Sequence, residues 1–558
     1  MKTIIIVFTV LISDFCFGQS TCWSTYFGGN GGEIYCHSVL DNQNNIYVFG
    51  QTSSTNGLAT NGAHQILYGG NSDGFLAKFS ASGNLLWATY YGGTGIDEIL
   101  SACTDRNNNI IIAGITTSTT NISTPGSFQA TGVGGGFVAK FNTNGVRIWG
   151  TYYNYGEIET ICTDKNNNII FGGNTNGATI GLSTPNIYHT SYSGGGDAFI
   201  TKFNSNGGRI WGTYYGGSDE DQCLSITTDT NNNIYITGST VSDTGISTIG
   251  AQQPSFAGDY DAYLAKFNSS GNILWATYCG GVDFDKGYSV CIDMSNNVII
   301  AGVGSSMTGI ATSGTHKQIP NGDDAFIVQY NSIGIKQWGT YYGGNDGINS
   351  DKLFHVTTNN AGEIFIAGCT DSDTGIATIA SYRSSISGMT DGYFAKFSSY
   401  GILIWGSYFG GSNDDCNFSI SISSLNDIII TGYTVSDSNI ATIGAYNTIL
   451  NGGSDAFIAS FDSSGHIPPV GIQNFNETIP SLIKVYPNPA KDKITVSIKE
   501  FTGKGGSISL LSIEGKLLKQ QSVKTEATSV DMSGLPSGTY LLQYDDGEVC
   551  ETVKVVKE

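Results

Sequence analysis

The sequence predicts an all-β protein: a seven-bladed β-propeller closed by its N-terminal strand, followed by a small Ig-like β-sandwich. All seven tryptophans occupy one slot of a repeat of about 63 residues, at positions 23, 87, 149, 211, 275, 338 and 405. Each repeat holds two pairs of short alternating apolar segments, and each pair flanks an Asn- or Gly-containing turn. No sustained 3.6-residue apolar spacing interrupts this pattern.

The two ends of the repeat array favour a ring over an open solenoid of hairpins. The first repeat begins at Trp23 and lacks the Phe-x-Ala-Lys-Phe segment that precedes the tryptophan elsewhere. The last repeat ends at residues 455–462 and lacks the tryptophan segment. The two half-repeats complete each other if residues 22–27 form the outer strand of the seventh blade. Radial closure of this kind leaves only short sheet edges.

Composition and charge divide the chain into four parts. Residues 1–18 have one lysine before an apolar run, which is typical of a secretory signal peptide. Residues 19–463 form the predicted propeller, 464–480 a linker, and 481–558 a second β-domain. Residues 480–558 contain ten basic and ten acidic residues, so the net charge of −21 lies before them. Such an acidic surface argues against nucleic acid as a partner, and no later apolar run is long enough for a membrane span.

The eleven cysteines leave the question of disulfides open. Cys103, Cys162 and Cys291 share a repeat slot with Val39 and Thr227, so this slot favours a small strand-forming side chain. A bridge between Cys103 and Cys162 in neighbouring blades is the alternative. The spacing of cysteines and histidines does not match a zinc site.

Three segments carry a family resemblance: Trp211-Gly-Thr-Tyr-Tyr-Gly-Gly217, Asp229-x-x-x-Asn-Ile-Tyr-Ile-Thr-Gly238 and Asp261-Ala-Tyr-Leu-Ala-Lys-Phe267. With their recurrences they resemble the SBBP repeats of exported bacterial propellers. The resemblance implies that the strand before the Asn-rich turn is innermost and the tryptophan strand outermost. The second repeat departs from the pattern, since Gly135 stands where most repeats have aspartate.

The end of the chain carries a second set of motifs. They are Tyr486, Pro487, Asn488 and Pro489 at its start, with Gly538 and Tyr540 later. In this order they resemble the type A C-terminal sorting domain of type IX secretion in Bacteroidetes. The resemblance implies a small β-sandwich recognised by the type IX machinery, and a protein that passes the periplasm and outer membrane to the cell surface or the exterior.

The connections between blades form the candidate binding surface. Alternate connections of a propeller lie on opposite faces, so these share one face with loops of about 20 residues, and long loops often carry function. We call this the long-loop face and the opposite one the turn face. The candidate binding residues are Asp97, Glu98, Asp219, Glu220, Asp221, Asp283, Asp285, Asp346, Asp414 and Asp415. Either they bind a polar ligand, or they accept backbone N–H bonds and keep the surface soluble.

Two Asp-x-Asp-x-Gly fragments are candidate calcium ligands. They contain Asp283 with Asp285, and Asp371 with Asp373. Calcium loops use such oxygen ligands, but both fragments lack the closing bidentate glutamate. Apart from this possible structural calcium, we expect no cofactor.

A near-symmetric array presents each group many times, whereas catalysis needs a nucleophile, a base and an orienting group at one place. The sequence therefore favours a secreted or cell-surface, non-enzymatic propeller. Its expected role is binding or adhesion to a glycan or a protein through the long-loop face. A polysaccharide-active enzyme that uses carboxylates and a structural surface-layer component are the alternatives.

Overall fold

The computed structural model describes residues 20–175, 177–344, 351–379, 381–462, 483–499, 506–512, 517–545 and 550–558. The chain divides into two compact units, Met1–Pro468 and Pro469–Glu558. This division falls within the predicted linker 464–480, which, like the predicted signal peptide 1–18, lies outside the described residues.

The described part of the first unit contains 28 strands. They are β1 Ser20–Phe27, β2 Glu33–Leu40, β3 Ile46–Thr52, β4 Asp73–Phe79, β5 Leu85–Tyr91, β6 Asp97–Thr104, β7 Ile110–Thr116, β8 Gly135–Phe141, β9 Arg147–Tyr153, β10 Glu157–Thr163, β11 Ile169–Asn174, β12 Ala198–Phe203, β13 Arg209–Tyr215, β14 Asp221–Thr228, β15 Ile234–Thr240, β16 Asp261–Phe267, β17 Ile273–Cys279, β18 Asp285–Ile292, β19 Val298–Gly304, β20 Asp324–Tyr330, β21 Lys336–Tyr342, β22 Lys352–Thr358, β23 Ile364–Thr370, β24 Asp391–Phe397, β25 Leu403–Phe409, β26 Asp415–Ile422, β27 Ile428–Thr434 and β28 Asp455–Asp462.

These strands form seven antiparallel four-stranded sheets, the blades of the predicted propeller. Blades 1 to 6 each take four consecutive strands, from β2–β5 to β22–β25. Blade 7 has the order β1-β28-β27-β26, and β1 pairs with β28 so that Tyr26 faces Phe457. The predicted closure by the N-terminal strand is therefore confirmed.

The first strand of each blade lies at the centre of the ring, and the tryptophan strand lies outermost. Neighbouring first strands are joined by side-chain hydrogen bonds: the Thr104 hydroxyl donates to the Leu40 carbonyl at 3.1 Å. The Ser419 hydroxyl donates to the Ser38 carbonyl at 3.1 Å and links blade 7 to blade 1. This arrangement confirms the strand order that the family resemblance implied.

The core lies between blades, because the middle strands have a neighbouring blade on each side. Strand β4 is buried at all seven positions, and β16 and β20 are too. Burying one large apolar side chain contributes about 1.5–3 kcal/mol. The stability of the ring therefore comes mainly from blade-to-blade packing of the repeated apolar residues.

In six of the repeats the tryptophan indole N–H donates to a turn carbonyl of the next blade and so joins the two blades. The Trp87 indole N–H donates to the Thr143 carbonyl at 3.0 Å, in a turn of blade 2. The same ring covers Gly145, where a Cβ would lie 2.9 Å from the indole. Gly145 has a φ of 78°, in the left-handed region that favours glycine. The repeat therefore needs both the tryptophan and the glycine of the following turn.

The long loops run along the outer strands of their blades. In blade 4 the Thr248 amide donates to the Ala276 carbonyl at 3.0 Å, and the Tyr278 amide donates to the Gln253 carbonyl at 3.2 Å. Equivalent bonds occur in the other blades. Because an unpaired outer strand invites association with another chain, these loops protect the rim. Much of each long loop therefore packs along the outer edge of its blade.

One disulfide appears among the described cysteines. Cys369 on β23 is bonded to Cys416 on β26, which joins blades 6 and 7. Cys103, Cys162 and Cys291 are free. The sequence comparison of repeat slots did not identify the bonded pair, because each of its cysteines stands in a different slot.

The second unit is a small two-sheet sandwich, as predicted. Its strands are β29 Ile483–Tyr486, β30 Lys493–Ile498, β31 Gly506–Ser512, β32 Leu517–Val523, β33 Ala527–Asp531, β34 Gly538–Asp545 and β35 Cys550–Lys557. One sheet has the order β29-β30-β33 and the other β32-β31-β34-β35. Val496 of the first sheet and Leu510 and Leu542 of the second share one core.

The predicted sorting motif holds together the start and end of this sandwich. The Asn488 side chain donates to the Lys554 carbonyl at 2.7 Å and accepts from the Val556 amide at 2.8 Å. Pro487 and Pro489 each follow a cis peptide bond. Tyr540 lies in β34, two residues after Gly538, and its hydroxyl donates to the Pro536 carbonyl at 2.6 Å. Within the described residues, no helix is long and apolar enough to cross a membrane.

Candidate functional site

Four of the predicted binding carboxylates are buried at junctions between blades. Asp97, Asp221, Asp285 and Asp415 are each the first residue of an innermost strand, with at most 1% of the residue exposed. Asp221 accepts from the Thr240 hydroxyl at 2.5 Å and from the Gly217 amide at 2.7 Å. These four side chains therefore fix the interblade connections and are shielded from an external ligand.

A second buried carboxylate faces each of these groups from the preceding blade. Asp261 leads β16 and lies beside Asp285, and a Cβ on Gly280 would come within 3.0 Å of an oxygen of each. Burial is the main cause that raises the pKa of Asp261 to about 7, and the charge of Asp285 adds to it. Burial likewise raises the pKa of Asp285 to about 6. Among the described residues, one oxygen of Asp261 and one of Asp285 lack a hydrogen-bond partner.

The remaining predicted binding residues have different surroundings. Asp219 and Asp283 are exposed, whereas Glu98, Glu220 and Asp414 are half-buried on the long-loop face. Asp346 lies outside the described residues.

The candidate calcium ligands are not gathered into a carboxylate cluster. Asp371 and Asp373 are exposed at the start of a long loop, and Asp283 is exposed beside the buried Asp285. In the described part of the chain, no group of three or more His, Cys, Asp or Glu residues could hold a metal ion. The two calcium sites therefore stay predictions from the sequence.

The innermost strands bring a different set of residues together around the channel of the ring, at its long-loop end. Each of these strands has a β-bulge two or three residues after its start. The bulge side chains project into the channel, because their neighbours on either side are held in the ladder. We call this region the channel mouth. It has an acidic side and an aromatic side.

The acidic side comes from blades 2 to 4, whose bulge residues are Leu100, Glu159 and Leu224. Its other carboxylates, Glu98, Glu157 and Glu220, lie at or next to the starts of the same strands. Burial is the main cause that raises the pKa of Glu159 to about 7, and the charges of Glu157 and Glu98 raise it further. The ammonium group of Lys286 in blade 5 opposes this rise in pKa. Since Glu159 responds to charges in blades 2 and 5, these groups share one local environment.

The aromatic side comes from blades 5, 6, 7 and 1. Its rings are Tyr288, Phe354, Phe418 and Tyr35. The Phe354 and Phe418 centroids lie 4.8 Å apart, Tyr288 lies 5.9 Å from Phe354, and Tyr35 lies 6.2 Å from Phe418. Such tilted and edge-on contacts are favourable. The rings form a continuous arc along half of the mouth.

Lys286 joins the two sides. Its Nζ donates to the Gln222 side-chain carbonyl at 2.7 Å and lies 5.4 Å from the Tyr288 centroid. Burial lowers the pKa of Lys286, while the charges of Glu220 and Glu159 act in the opposite direction. One cation therefore lies among several carboxylates, and the mouth keeps an excess of negative charge.

Two histidines, on the innermost strands of blades 1 and 6, lie next to the aromatic side. His37 stacks on Phe49 with centroids 5.9 Å apart and lies 5.5 Å from Phe418. Burial lowers the pKa of His37 to about 3 and also lowers that of His355. Both imidazoles are therefore neutral at physiological pH and act as packing groups.

Sequence reasoning missed the aromatic side and selected only part of the acidic side. Tyr288, Phe354 and Phe418 occupy one repeat slot, which holds Leu100, Glu159 and Leu224 in other blades. A slot that holds leucine or glutamate in three blades and an aromatic residue in three others was the available signal. The bulge that turns this slot into the channel was not visible from the alternating pattern.

Family models match both units of the chain. The secretion system C-terminal sorting domain matches residues 484–558. The SBBP β-propeller repeat matches residues 23–57 and 210–243.

Curated relatives are distant. An uncharacterized WD repeat-containing protein of Acanthamoeba polyphaga mimivirus is 23% identical over 448 residues, which cover 63% of this chain and 31% of the relative. The regulatory protein FlaEY of Caulobacter vibrioides is 24% identical over 281 residues, which cover 46% of this chain and 26% of the relative. The chain thus spans less than a third of the length of these relatives.

Among solved structures, the WD40 β-propeller domain of Doa1 is similar, with a TM-score of 0.41 and 8% identity. The alignment covers 80% of this chain and 97% of that domain. A protein of unknown function from Dyadobacter fermentans has a TM-score of 0.37 and 12% identity, with 80% and 99% covered. The protein described here is a β-propeller of SBBP repeats that carries a type IX secretion sorting domain and is exported to the cell surface or the exterior.

Proposed function

We propose that this exported propeller is a non-enzymatic binding protein whose channel mouth holds a glycan. The observation that carries the proposal is the arc of Tyr288, Phe354, Phe418 and Tyr35 facing carboxylates across one opening. Aromatic faces pack against the apolar faces of sugar rings, and carboxylates accept hydrogen bonds from hydroxyl groups. The recognition of a protein ligand by the same surface is the alternative within this class.

The charge of the mouth restricts the class of glycan. Glu98, Glu157, Glu159 and Glu220 outnumber the two cations, Lys286 and Lys352, which hold the same position in neighbouring innermost strands. Like charges repel in a partly desolvated site. Neutral or amino-bearing oligosaccharides are therefore favoured over uronic-acid or sulfated ones.

Binding of neutral, amino-bearing and uronic oligosaccharides by the full chain tests this function. Phe354→Ala and Phe418→Ala should each weaken binding about tenfold or more, because each removes a ring from the mouth. Met389→Ala is the control, since Met389 is 79% exposed on a loop away from the channel. If these variants bind the glycan as tightly as the unaltered protein, the channel mouth is not the site.

A polysaccharide-active enzyme is the second candidate, and one observation favours it. The pKa of Glu159 is raised to about 7 beside Glu157, and such a pair of carboxylates can supply a general acid and a base. Release of reducing ends from a bound polysaccharide, abolished by Glu159→Gln, would replace the binding function by this one. Absence of both binding and cleavage would favour the structural surface-layer role.

A further inference from the structure

We propose that a cavity on the turn face, between blades 5 and 6, binds a ligand through a primary ammonium group. This site is separate from the channel mouth and independent of the proposed function. It has a volume of about 470 Å³. Asp293, Gln329 and Trp338 form its buried floor, and Met294, Asn360 and Tyr400 form its exposed rim.

In most blades the equivalent position is filled by a lysine ammonium of the protein itself. Lys140 Nζ lies 2.8 Å from Asp105, and Lys202 Nζ lies 2.9 Å from Asp164. The same pairing joins Lys78 to Asp41 at 3.2 Å. In blade 6, where Asn359 replaces the aspartate, Lys396 pairs instead with Glu363 at 2.8 Å.

The ammonium groups of blades 1 to 3 each have a second acceptor in the next blade. Lys202 Nζ donates to the Ser269 carbonyl at 3.2 Å, and that carbonyl also accepts from the Trp211 indole at 3.3 Å. The carbonyls of Thr143 and Ser205 do the same for Lys78 and Lys140. The repeated site therefore consists of a turn carboxylate, a carbonyl of the next blade and an indole that borders them. This set of acceptors is selective for a group with several N–H donors.

Blade 5 keeps these acceptors but has Gln329 where the lysine stands. Asp293 is 7% exposed, and it accepts from the Asn297 side-chain amide at 2.8 Å and from two backbone amides of its own turn. The Ser399 carbonyl accepts from the Trp338 indole at 3.0 Å, as in the other blades. Among the described residues, the carboxylate of Asp293 thus lacks the ammonium partner found in the blades with lysine.

Gln329 does not replace the missing cation. Its side-chain carbonyl accepts from the Trp338 indole at 3.0 Å. Its amide nitrogen has no hydrogen-bond partner within the described structure, although Gln329 is only 5% exposed. A buried amide without a partner is costly, so a ligand that also carries an acceptor oxygen near its ammonium group would be favoured over one that has the ammonium group alone.

In blade 7 the aspartate is absent together with the lysine. There Ser423 and Ser460 replace the aspartate and the lysine together. The nearest carboxylate of that turn, Asp427, is half-buried and accepts from the Ser423 hydroxyl at 3.2 Å. Among the described blades, blade 5 therefore alone keeps a buried aspartate at the first turn position without the lysine.

The cavity suits a primary ammonium on a short apolar stem. The ammonium would occupy the position of the lysine Nζ, bonded to Asp293 and the Ser399 carbonyl. The stem would lie against Trp338 and pass Met294 and Tyr400 to solvent, since these two are 74% and 78% exposed. A lysine side chain of another protein and an amino sugar both present this chemistry.

Ligand-detected NMR on the full chain tests the proposal with n-butylammonium, Nα-acetyl-lysine amide and glucosamine. We expect saturable binding of n-butylammonium with a dissociation constant on the order of 1–10 mM. Neutral n-butanol and tetramethylammonium, which has no N–H donor, should bind at least about tenfold more weakly. Preference between the lysine derivative and glucosamine distinguishes the two sources of the amine.

Variants of the same slot make the test specific. Gln329→Lys supplies the protein's own ammonium and should abolish amine binding, as should Asp293→Asn. Lys140→Gln, added to Gln329→Lys, should restore one amine site, now in blade 2. Equal binding of n-butylammonium by the unaltered protein and by both Gln329→Lys and Asp293→Asn would overturn the proposal, as would its failure to bind at all.

Discussion

Buried aspartates on the two faces of the propeller have different surroundings. On the turn face, burial raises the pKa of Asp105, but hydrogen bonds from Asn109 and Lys140 outweigh it, so this pKa is lowered. On the long-loop face, burial and the neighbouring Asp285 raise the pKa of Asp261 to about 7. The difference teaches that burial alone does not decide the charge state. The hydrogen-bond donors and the charges around each carboxylate decide it together.

The long-loop face contains its own exceptions. In the junction between blades 2 and 3, both carboxylates are replaced together, by Gly135 and Gly156. In blade 5, Lys317 lies 2.7 Å from Asp324 and donates to the Gly344 carbonyl at 2.7 Å. At each junction, therefore, the two carboxylates are both present, both replaced, or present beside a lysine.

The largest expected effect is the dependence of propeller stability on pH. The carboxyls of the long-loop face have folded pKa values raised above the ordinary one, to about 6 for Asp221, Asp351 and Asp415. Their contribution is fully present below the ordinary pKa of about 4 and is lost as pH rises through 6 to 7. A folded pKa that lies one pH unit above the unfolded pKa corresponds to about 1.4 kcal/mol. The free energy of unfolding should fall by roughly 5 kcal/mol or more between pH 5 and pH 8.

Urea denaturation followed by tryptophan fluorescence measures this change. All seven tryptophans precede residue 463, so the signal reports the propeller. The lowered pKa values of Asp105 and Asp164 give the opposite trend, because their stabilisation is lost only as pH falls below the ordinary range. The lowered pKa values of His37 and His64 act against this fall, because near pH 5 these imidazoles are protonated only in the unfolded state. A protein that is more stable at pH 8 than at pH 5 by more than about 2 kcal/mol for each of these histidines would refute the assignment of raised pKa values to the long-loop face.

The next largest effect is expected from removing one cation of the turn face. Lys202→Ala leaves the Asp164 carboxylate buried without its partner at 2.9 Å. Breaking a buried ion pair in this way costs about 3–5 kcal/mol. Lys165→Ala is the matched control, because Lys165 is exposed in the same turn and its loss should change stability by less than about 0.5 kcal/mol. Equal effects of the two variants would show that the turn-face pairs are not structural.

A neutral substitution on the long-loop face should raise the free energy of unfolding instead of lowering it. Asp261→Asn removes one of two adjacent buried charges and places a donor where the carboxylate has an oxygen without a hydrogen-bond partner in the described structure. We expect a gain of about 1–3 kcal/mol at pH 8 and little gain at pH 5. Asp259→Asn, at an exposed position of the same loop, serves as control. A loss of stability at pH 8 would mean that both charges are required, as in a cation site.

The smallest effect is expected at the junction that already has a cation. Blade 1 has Gln65 at the position of Lys317, and the Gln65 amide donates to Asp73 at 2.8 Å. Lys317→Gln therefore places the same residue beside Asp324. Stability at pH 8 should fall by about 1 kcal/mol, and less at pH 5, because Asp324 loses its counter-charge. The reverse change, Gln65→Lys, should gain stability at pH 8. If neither variant responds to pH, Lys317 does not set the charge state of Asp324.

The repeat explains why so much of the fold could be read from the sequence. Trp87 and Gly145 recur at fixed spacing because each blade must fit the next, and this spacing predicted blade number and closure. The candidate site was only partly predictable. Glu98 and Glu220 reach the channel mouth, whereas Asp97 and Asp221 next to them are buried in junctions. Adjacent residues on a strand point to opposite sides, and the side that faces water depends on which strand is innermost.

The sequence by itself determined the seven repeats, the half-repeats that close the ring, and the motifs of the sorting domain, because each is a local pattern repeated or ordered along the chain. Only the tertiary structure brought Glu159, Lys286 and Phe354 to one channel mouth, and only it showed Asp293 without a lysine beside Gln329. These groups lie in different blades or on strands far apart in the chain. Their proximity follows from ring closure and from β-bulges, which set the direction of a side chain without leaving a regular mark in the sequence.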